Sequence, residues 1–232
     1  MKRFTMIILA LCITEMYAQN LQLHYDLGED RNYFTSTFEM YKPDEYGATF
    51  MFIDFDFNFP GNNSISLAYF EIARYFSVYR QLSLTLQYND GVTAVPVQEV
   101  GNIAVTLNQT WLAGISVPIN LGFVTLNTDF LFRKTYRSDA PDGQITVTWF
   151  VPFLTNKFTF TGFLDIWTQD ELLRLRDTPS DDKEVVFLAE PQLWYNVWRH
   201  LSLGTEIEIS NNFLPFQDEV KVMPTLAARW NF

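Results

Sequence analysis

The chain of 232 residues is 48% hydrophobic and 17% aromatic, carries a formal net charge of −11 and contains one cysteine. That length supports a single domain with a sizeable core. The lone cysteine excludes a disulfide scaffold, the acidity excludes a phosphate polymer as partner, and beyond the first twenty residues no apolar run nears the roughly 18 residues of a membrane helix.

The chain opens with Lys2 and Arg3, an apolar stretch from Phe4 to Ile13, and the small residue Ala18 before Gln19. A positive start, a short apolar run and a small residue at the cut read as a secretory signal peptide over 1–18, with residues 19–232 forming one domain. Cys12 lies in the apolar run behind Leu11, and Leu11 is too large for a lipoprotein cut. Loss of Lys2, Arg3 and Glu15 with that peptide leaves 14 basic and 26 acidic residues and no cysteine.

From there almost every segment alternates with the strand period of two. In Thr49–Phe59, Met51, Ile53, Phe55, Phe57 and Phe59 alternate with a set that includes Asp54, Asp56 and Asn58. Leu82, Leu84, Leu86 and Tyr88 oppose Ser83, Thr85 and Gln87, and Ile103, Val105 and Leu107 alternate over Asn102–Gln109. Leu126, Phe130 and Phe132 oppose Asn127, Asp129 and Arg133; Leu201, Leu203, Ile207 and Ile209 oppose Ser202, Gly204, Glu206 and Glu208. In Ser64–Tyr75 the alternation places Glu71 and Arg74 on opposite faces, which a bulge there would resolve, or a position of one of them at a membrane interface.

Short gaps at Pro43–Gly47, Ser77–Gln81, Ser116–Asn120, Phe153–Asn156 and Val197–His200 alternate with more variable ones at Glu29–Asp30, Pro60–Asn63, Gly91–Val100, Thr135–Gly143, Gln169–Lys183 and Asn212–Asp218. About twelve strands result, with both termini at the short-turn end. This is the layout of an all-β transmembrane antiparallel barrel of the bacterial outer membrane. Rings at the strand ends (Tyr25, Tyr41, Tyr46, Phe57, Phe59, Tyr69, Tyr75, Tyr88, Trp149, Tyr195, Trp198 and Trp230) read as aromatic girdles in contact with lipid. A closing strand that ends on Phe232 looks like the recognition tail read by the barrel assembly machinery.

With the apolar set toward lipid, the lumen receives Gln22, His24 and Asp26; Tyr33, Thr35, Thr37, Glu39 and Tyr41; Phe50, Phe52, Asp54, Asp56 and Asn58. Asp129, Arg133, Thr161, Phe163, Asp165, Trp167, Glu190, Gln192, Trp194, Glu206, Glu208 and Arg229 follow. The candidate solute-binding residues are Glu39, Phe50, Phe52, Asp54, Asp56, Asp129, Arg133, Asp165, Trp167, Glu190, Trp194, Glu206 and Arg229. Carboxylates accept hydrogen bonds from hydroxyls and amines, and rings stack on flat faces. The combination suits a small neutral or cationic solute with a flat or ring face and disfavours a phosphate or other anion. A barrel closed by its own lumen pairs, with a structural or adhesive role, is the alternative.

A barrel lipid hydrolase would need a serine beside a histidine base. Of the two histidines, His24 has no serine nearby in its strand and His200 falls in a short turn. The sequence holds no His or Cys cluster for zinc, and the acidic run Asp177, Asp181 and Asp182 reads as a solvated loop before it reads as a calcium site. No cofactor is expected.

Finally, Leu23–Phe57, LHYDLGEDRNYFTSTFEMYKPDEYGATFMFIDFDF, resembles the opening of the Tsx-like nucleoside-specific channels, one branch of which has the same HYDxGxDR…TxExxKPDxxG…FxDFDF layout. The resemblance implies a twelve-stranded barrel with a narrow nucleoside-binding lumen. It matches Glu39, Asp54 and Asp56 to the acidic positions of the second and third strands, and Phe50 and Phe52 to their aromatic neighbours.

Overall fold

The protein is described by a computed structural model that covers residues 18–29, 31–58, 64–97, 101–170, 182–213 and 219–232. Residues 1–17 of the expected signal peptide, Phe59, Asp177 and Asp181 lie outside the described residues. Fourteen strands are found among them: β1 (Ala18–Asp26), β2 (Phe34–Asp44), β3 (Gly47–Phe57), β4 (Leu67–Tyr79), β5 (Leu82–Val97), β6 (Gly101–Thr106), β7 (Thr110–Asn120), β8 (Thr125–Thr135), β9 (Asp142–Phe153), β10 (Phe158–Asp170), β11 (Lys183–Ala189), β12 (Gln192–Asn196), β13 (Leu201–Asn211) and β14 (Lys221–Asn231).

They make a closed antiparallel barrel of twelve positions. The ring closes where β14 pairs with β1, Leu23 opposite Ala228. β11 and β12 share one position, since both pair with β10 on one side and β13 on the other. The break between them falls at Glu190–Pro191, opposite Gly162 of β10. Gly162 has φ +148°, and a side chain there would meet the Glu190 carbonyl at 2.3 Å. β6 pairs with β5 alone and extends the β5 hairpin beyond the barrel wall.

Burial follows the strand period and is inverted relative to a soluble sandwich. At the centres of β7 and β8, Ile115 and Phe130 face each other across the ladder and are 41% and 45% exposed. The next pair, Ser116 and Asp129, points inward, and Asp129 is buried. The same holds round the ring: Leu21, Leu23, Leu84, Leu86, Ile145, Leu203, Val222 and Leu226 are exposed, whereas Gln22, His24, Thr85, Gln87, Gln144, Ser202, Glu208 and Arg229 are buried. An apolar exterior around a polar interior is the face assignment of a barrel solvated by lipid.

The outward rings gather at the two rims. Tyr25 and Phe34 lie 5.1 Å apart, and Tyr88 touches Phe70 at 5.8 Å and Trp111 at 4.7 Å, all toward the long-loop end. At the short-turn end Phe158 lies between Phe153 and Tyr195, and Trp230 packs on Trp198 and His200. Two residues expected in these girdles belong inside instead. Tyr69 donates to Glu71 at 2.5 Å and Tyr75 to Asp129 at 2.9 Å, because a ring that carries a hydroxyl satisfies it best in the polar lumen.

Three boundaries also differ from the sequence reading. Ser116–Asn120 is the end of β7 and not a turn; the chain reverses over 121–124, where the Leu121 N–H donates to the Val124 carbonyl at 2.9 Å. Gly91–Val100, expected as a loop, continues β5 as far as Val97. Within Asn102–Gln109, expected as part of a barrel strand, β6 ends at Thr106 off the ring, and the barrel strand starts at Thr110. Between Glu71 and Arg74 the β4 register is continuous, and its irregularity falls later, between Ser77 and Tyr79. Arg74 does face outward, at the rim, where its Nη1 and Nη2 donate to the two Asp44 oxygens at 2.6 and 2.9 Å.

Candidate functional site: the acidic lumen

Alternation on each strand, carried across the ladders, fixes what the lumen receives. Thr37 and Thr35 of β2 sit opposite Asp54 and Asp56 of β3 and donate to them at 2.6 and 2.8 Å. Glu39 pairs across to Phe52 and accepts from the Asn20 amide of β1 at 3.3 Å. Phe50, Phe52 and Tyr69 run in sequence along this wall, their centroids 6.1 and 6.0 Å apart. Each predicted candidate on β2 and β3 therefore points inward, and these elements bring Glu39, Phe50, Phe52, Asp54 and Asp56 together.

Strands β8, β10, β12, β13 and β14 supply the rest. Asp165 and Trp167 of β10 lie inward, with Trp167 buried and its Nε1 donating to Gln169 at 3.0 Å. The Arg133 guanidinium lies 4.9 Å over the Trp167 ring and donates to Gln144 at 2.6 Å. Trp194 of β12 is wholly buried; its Nε1 donates to Gln192 at 2.9 Å, and the Gln192 amide donates to Glu206 at 2.5 Å. The Arg229 guanidinium of β14 lies over the Trp194 ring, 4.3 Å from its centroid, while His24 meets that ring edge-on at 6.0 Å. Asp129 is tied into the wall by Tyr75 and Gln87, both at 2.9 Å.

Burial separates lumen residues that fill space from those that border it. Trp194, Ser202, Ser210, Val186, Leu112 and Gln22 are fully buried and form packed wall. Half-buried inward positions (among them Glu39, Phe50, Phe52, Asp54, Asp56, Glu71, Arg133, Asp165, Glu190 and Glu206) border the remaining bore. Seven of these ten are carboxylates, and Arg133 is the one cation. Glu71, absent from the candidate set because its face was ambiguous, thus belongs to the bore, where it accepts from Tyr69 and from Asn89 at 2.9 Å. Asp129, although inward, is committed to the wall.

Toward the long-loop end two described cations are bound by carboxylates. Arg31 joins Asp26 at 3.0 Å and Glu208 at 2.9 Å, and Lys183 joins Asp142 at 2.9 Å and also Asp170. Arg31 thereby joins the end of β1 to β13, and Lys183 joins the ends of β9, β10 and β11. At the opposite rim the Arg74 hydrogen bonds hold the Asp44 carboxyl down at about 2.

His24 is committed to Thr225 at 3.0 Å and to Gln22 at 2.9 Å, and His200 to the Asn231 carbonyl at 2.6 Å. No serine hydroxyl is bonded to either ring among the described residues. Among those residues no group of three or more His, Cys, Asp or Glu side chains is disposed to hold a metal ion.

A closed twelve-position barrel, apolar outside and hydrogen-bonded inside, is a membrane-spanning barrel of the outer-membrane type. Residues 18–232 match the family described as "Domain of unknown function (DUF5020)", and the chain belongs to that family. No curated protein matches the chain in sequence. In fold the chain is similar to the NanC porin, with a TM-score of 0.55 over 93% of this chain and 100% of that one at 9% identity. It is also similar to the KdgM porin, with a TM-score of 0.50 over 93% and 99% at 5% identity.

Proposed function

We propose that the protein is a passive channel of the bacterial outer membrane, carrying small polar solutes that are neutral or cationic through a narrow acidic and aromatic bore. The observation that carries this reading is the bore lining itself, seven carboxylates and two phenylalanines against one arginine, Arg133, left half-buried inside a ring whose exterior is apolar. Twelve strands give an interior between that of the side-chain-filled eight-stranded barrel and that of the aqueous 16- to 18-stranded porin. Such a bore suits single small molecules and not bulk flow.

Nucleosides are the solutes that the Leu23–Phe57 resemblance favours, and the chemistry agrees: a flat base suits Phe50 and Phe52, and ribose hydroxyls suit Glu39 and Asp54. The protein binds no nucleic-acid polymer and performs no catalysis in this reading. Its partners are outer-membrane lipid, the solute and, through Phe232, the assembly machinery. Purified protein in planar bilayers should give small, cation-selective steps that nucleosides partly block. Steps indifferent to every nucleoside would remove the substrate and leave the pore.

One observation favours a second reading, a closed barrel with a structural role: Trp194, Leu112, Val186 and Ser202 leave no solvent-reachable surface along much of the wall. Liposome swelling separates the two, since a closed barrel admits no sugar, nucleoside or amino acid.

A further inference from the structure

Among the described residues Arg31, Lys183 and Lys221 have carboxylates, Lys134 has the Ser138 carbonyl, and Arg133 has the Gln144 oxygen although its Nε is buried without a partner. Arg229 differs. It is only 8% exposed, yet no hydrogen bond or ion pair joins its guanidinium to any described residue, and its Nε is buried without a partner. It is held instead by stacking, 4.3 Å over a fully buried tryptophan whose own N–H is fixed on Gln192. Stacking occupies the guanidinium face and leaves its edge, a planar fork of donors, for an acceptor.

The same region presents the opposite chemistry. Glu39 borders the bore one strand beyond β1, held by Asn20, which pairs with it across the ladder. Glu206 lies on β13, adjacent to β14, with one oxygen on Gln192 and the other 3.8 Å from His24. A buried guanidinium normally satisfies itself on such carboxylates. Here both acids are held by other donors and the guanidinium by no acceptor, so a donor fork and two carboxylates stand inside the same lumen without being bonded to one another.

We infer that Arg229 on Trp194, with Glu39 and Glu206, is a selectivity site for small zwitterions, solutes that carry a carboxylate and an ammonium group as α-amino acids do. The carboxylate takes the Arg229 fork in two parallel hydrogen bonds, and the ammonium donates to Glu39 or Glu206. In a bore lined mainly by acids, where Arg133 is held by Gln144, Arg229 is what admits the carboxylate end. The inference rests on the channel reading and narrows its solute class.

The test is swelling of liposomes that hold the full-length mature protein, in serine and in erythritol, a neutral solute of similar size. The wild type should pass serine faster than erythritol. In Arg229→Gln the serine-to-erythritol ratio should fall about tenfold, the factor that a lost interaction of ~1.4 kcal/mol produces. Arg229→Lys, which keeps the charge but not the fork, should fall between. A wild-type ratio of one or less, or a ratio unchanged in Arg229→Gln while both variants keep heat-modifiable gel migration, overturns the inference and leaves the channel standing. No swelling by the wild type in any solute overturns the channel reading, and this inference with it.

Discussion

Substitution of adjacent residues at one height in the barrel wall tests the face assignment most sharply. Ile115 is the middle residue of the eleven in β7 and lies opposite Phe130, the middle residue of β8. Five residues separate it from each strand end; at ~3.3 Å per residue and a tilt near 40°, that places it about 13 Å from either rim, close to the midplane of a ~25 Å apolar band. Ile115→Arg should therefore cost about 2–4 kcal/mol. Ser116 points the other way, between Ser83 and Asp129. Ser116→Arg brings a cation toward the buried Asp129 carboxylate and should cost clearly less than Ile115→Arg. Reversible urea unfolding in lipid vesicles, followed by tryptophan fluorescence, measures both. Equal stability of Ile115→Arg and wild type, or a larger loss for Ser116→Arg, would refute the assignment of the apolar face to lipid.

Other substitutions probe single features of the wall and bore. Asp54→Asn and Asp56→Asn, both half-buried lumen carboxylates, should each lower cation selectivity, read as a shift of reversal potential in a salt gradient, with barrel assembly intact. Gly162→Val should destabilise the fold by more than 1 kcal/mol in the same unfolding assay, since its Cβ would press on the Glu190 carbonyl in a conformation that side chains rarely adopt. The Asp44–Arg74 rim clamp draws on a carboxyl held at about 2, below its ordinary value. Its contribution is therefore fully present above pH 4 and is lost as pH falls through about 2, and Asp44→Asn should remove that pH dependence from the unfolding curve. Deletion of Phe232, whose ring is exposed, should slow insertion by cells more than it lowers the stability of the folded barrel in vesicles.

The alternating face was legible because it is written in nearest-neighbour sequence. Ile115 beside Ser116, or Leu203 beside Gly204, needs no knowledge of a partner strand. What failed depended on partners. Ser116–Asn120 reads as a short turn, but Pro118 within it pairs with Asn127 on β8 and the reversal waits for Gly122. Gly91–Val100 reads as a loop, and only the ladder from Val92–Thr106 to Val97–Gly101 makes most of it strand. Tyr69 and Tyr75 sat near strand ends like girdle rings, and Glu71 and Asp129, which accept from their hydroxyls, identify them as lumen residues. The acidic candidates on β2 and β3 were found from sequence because alternation alone points them inward. The stacked arginines were not recognisable as such: Arg229 and Trp194 are 35 positions apart and on non-adjacent strands, β12 and β14.

The central claim is an open bore governed by carboxylates, and the reversal potential of the wild-type protein in a planar bilayer under a tenfold potassium chloride gradient tests it most directly. The account predicts small steps with a reversal potential of the sign set by potassium permeating faster than chloride. Absence of steps, or a potential of the sign set by chloride, would contradict it.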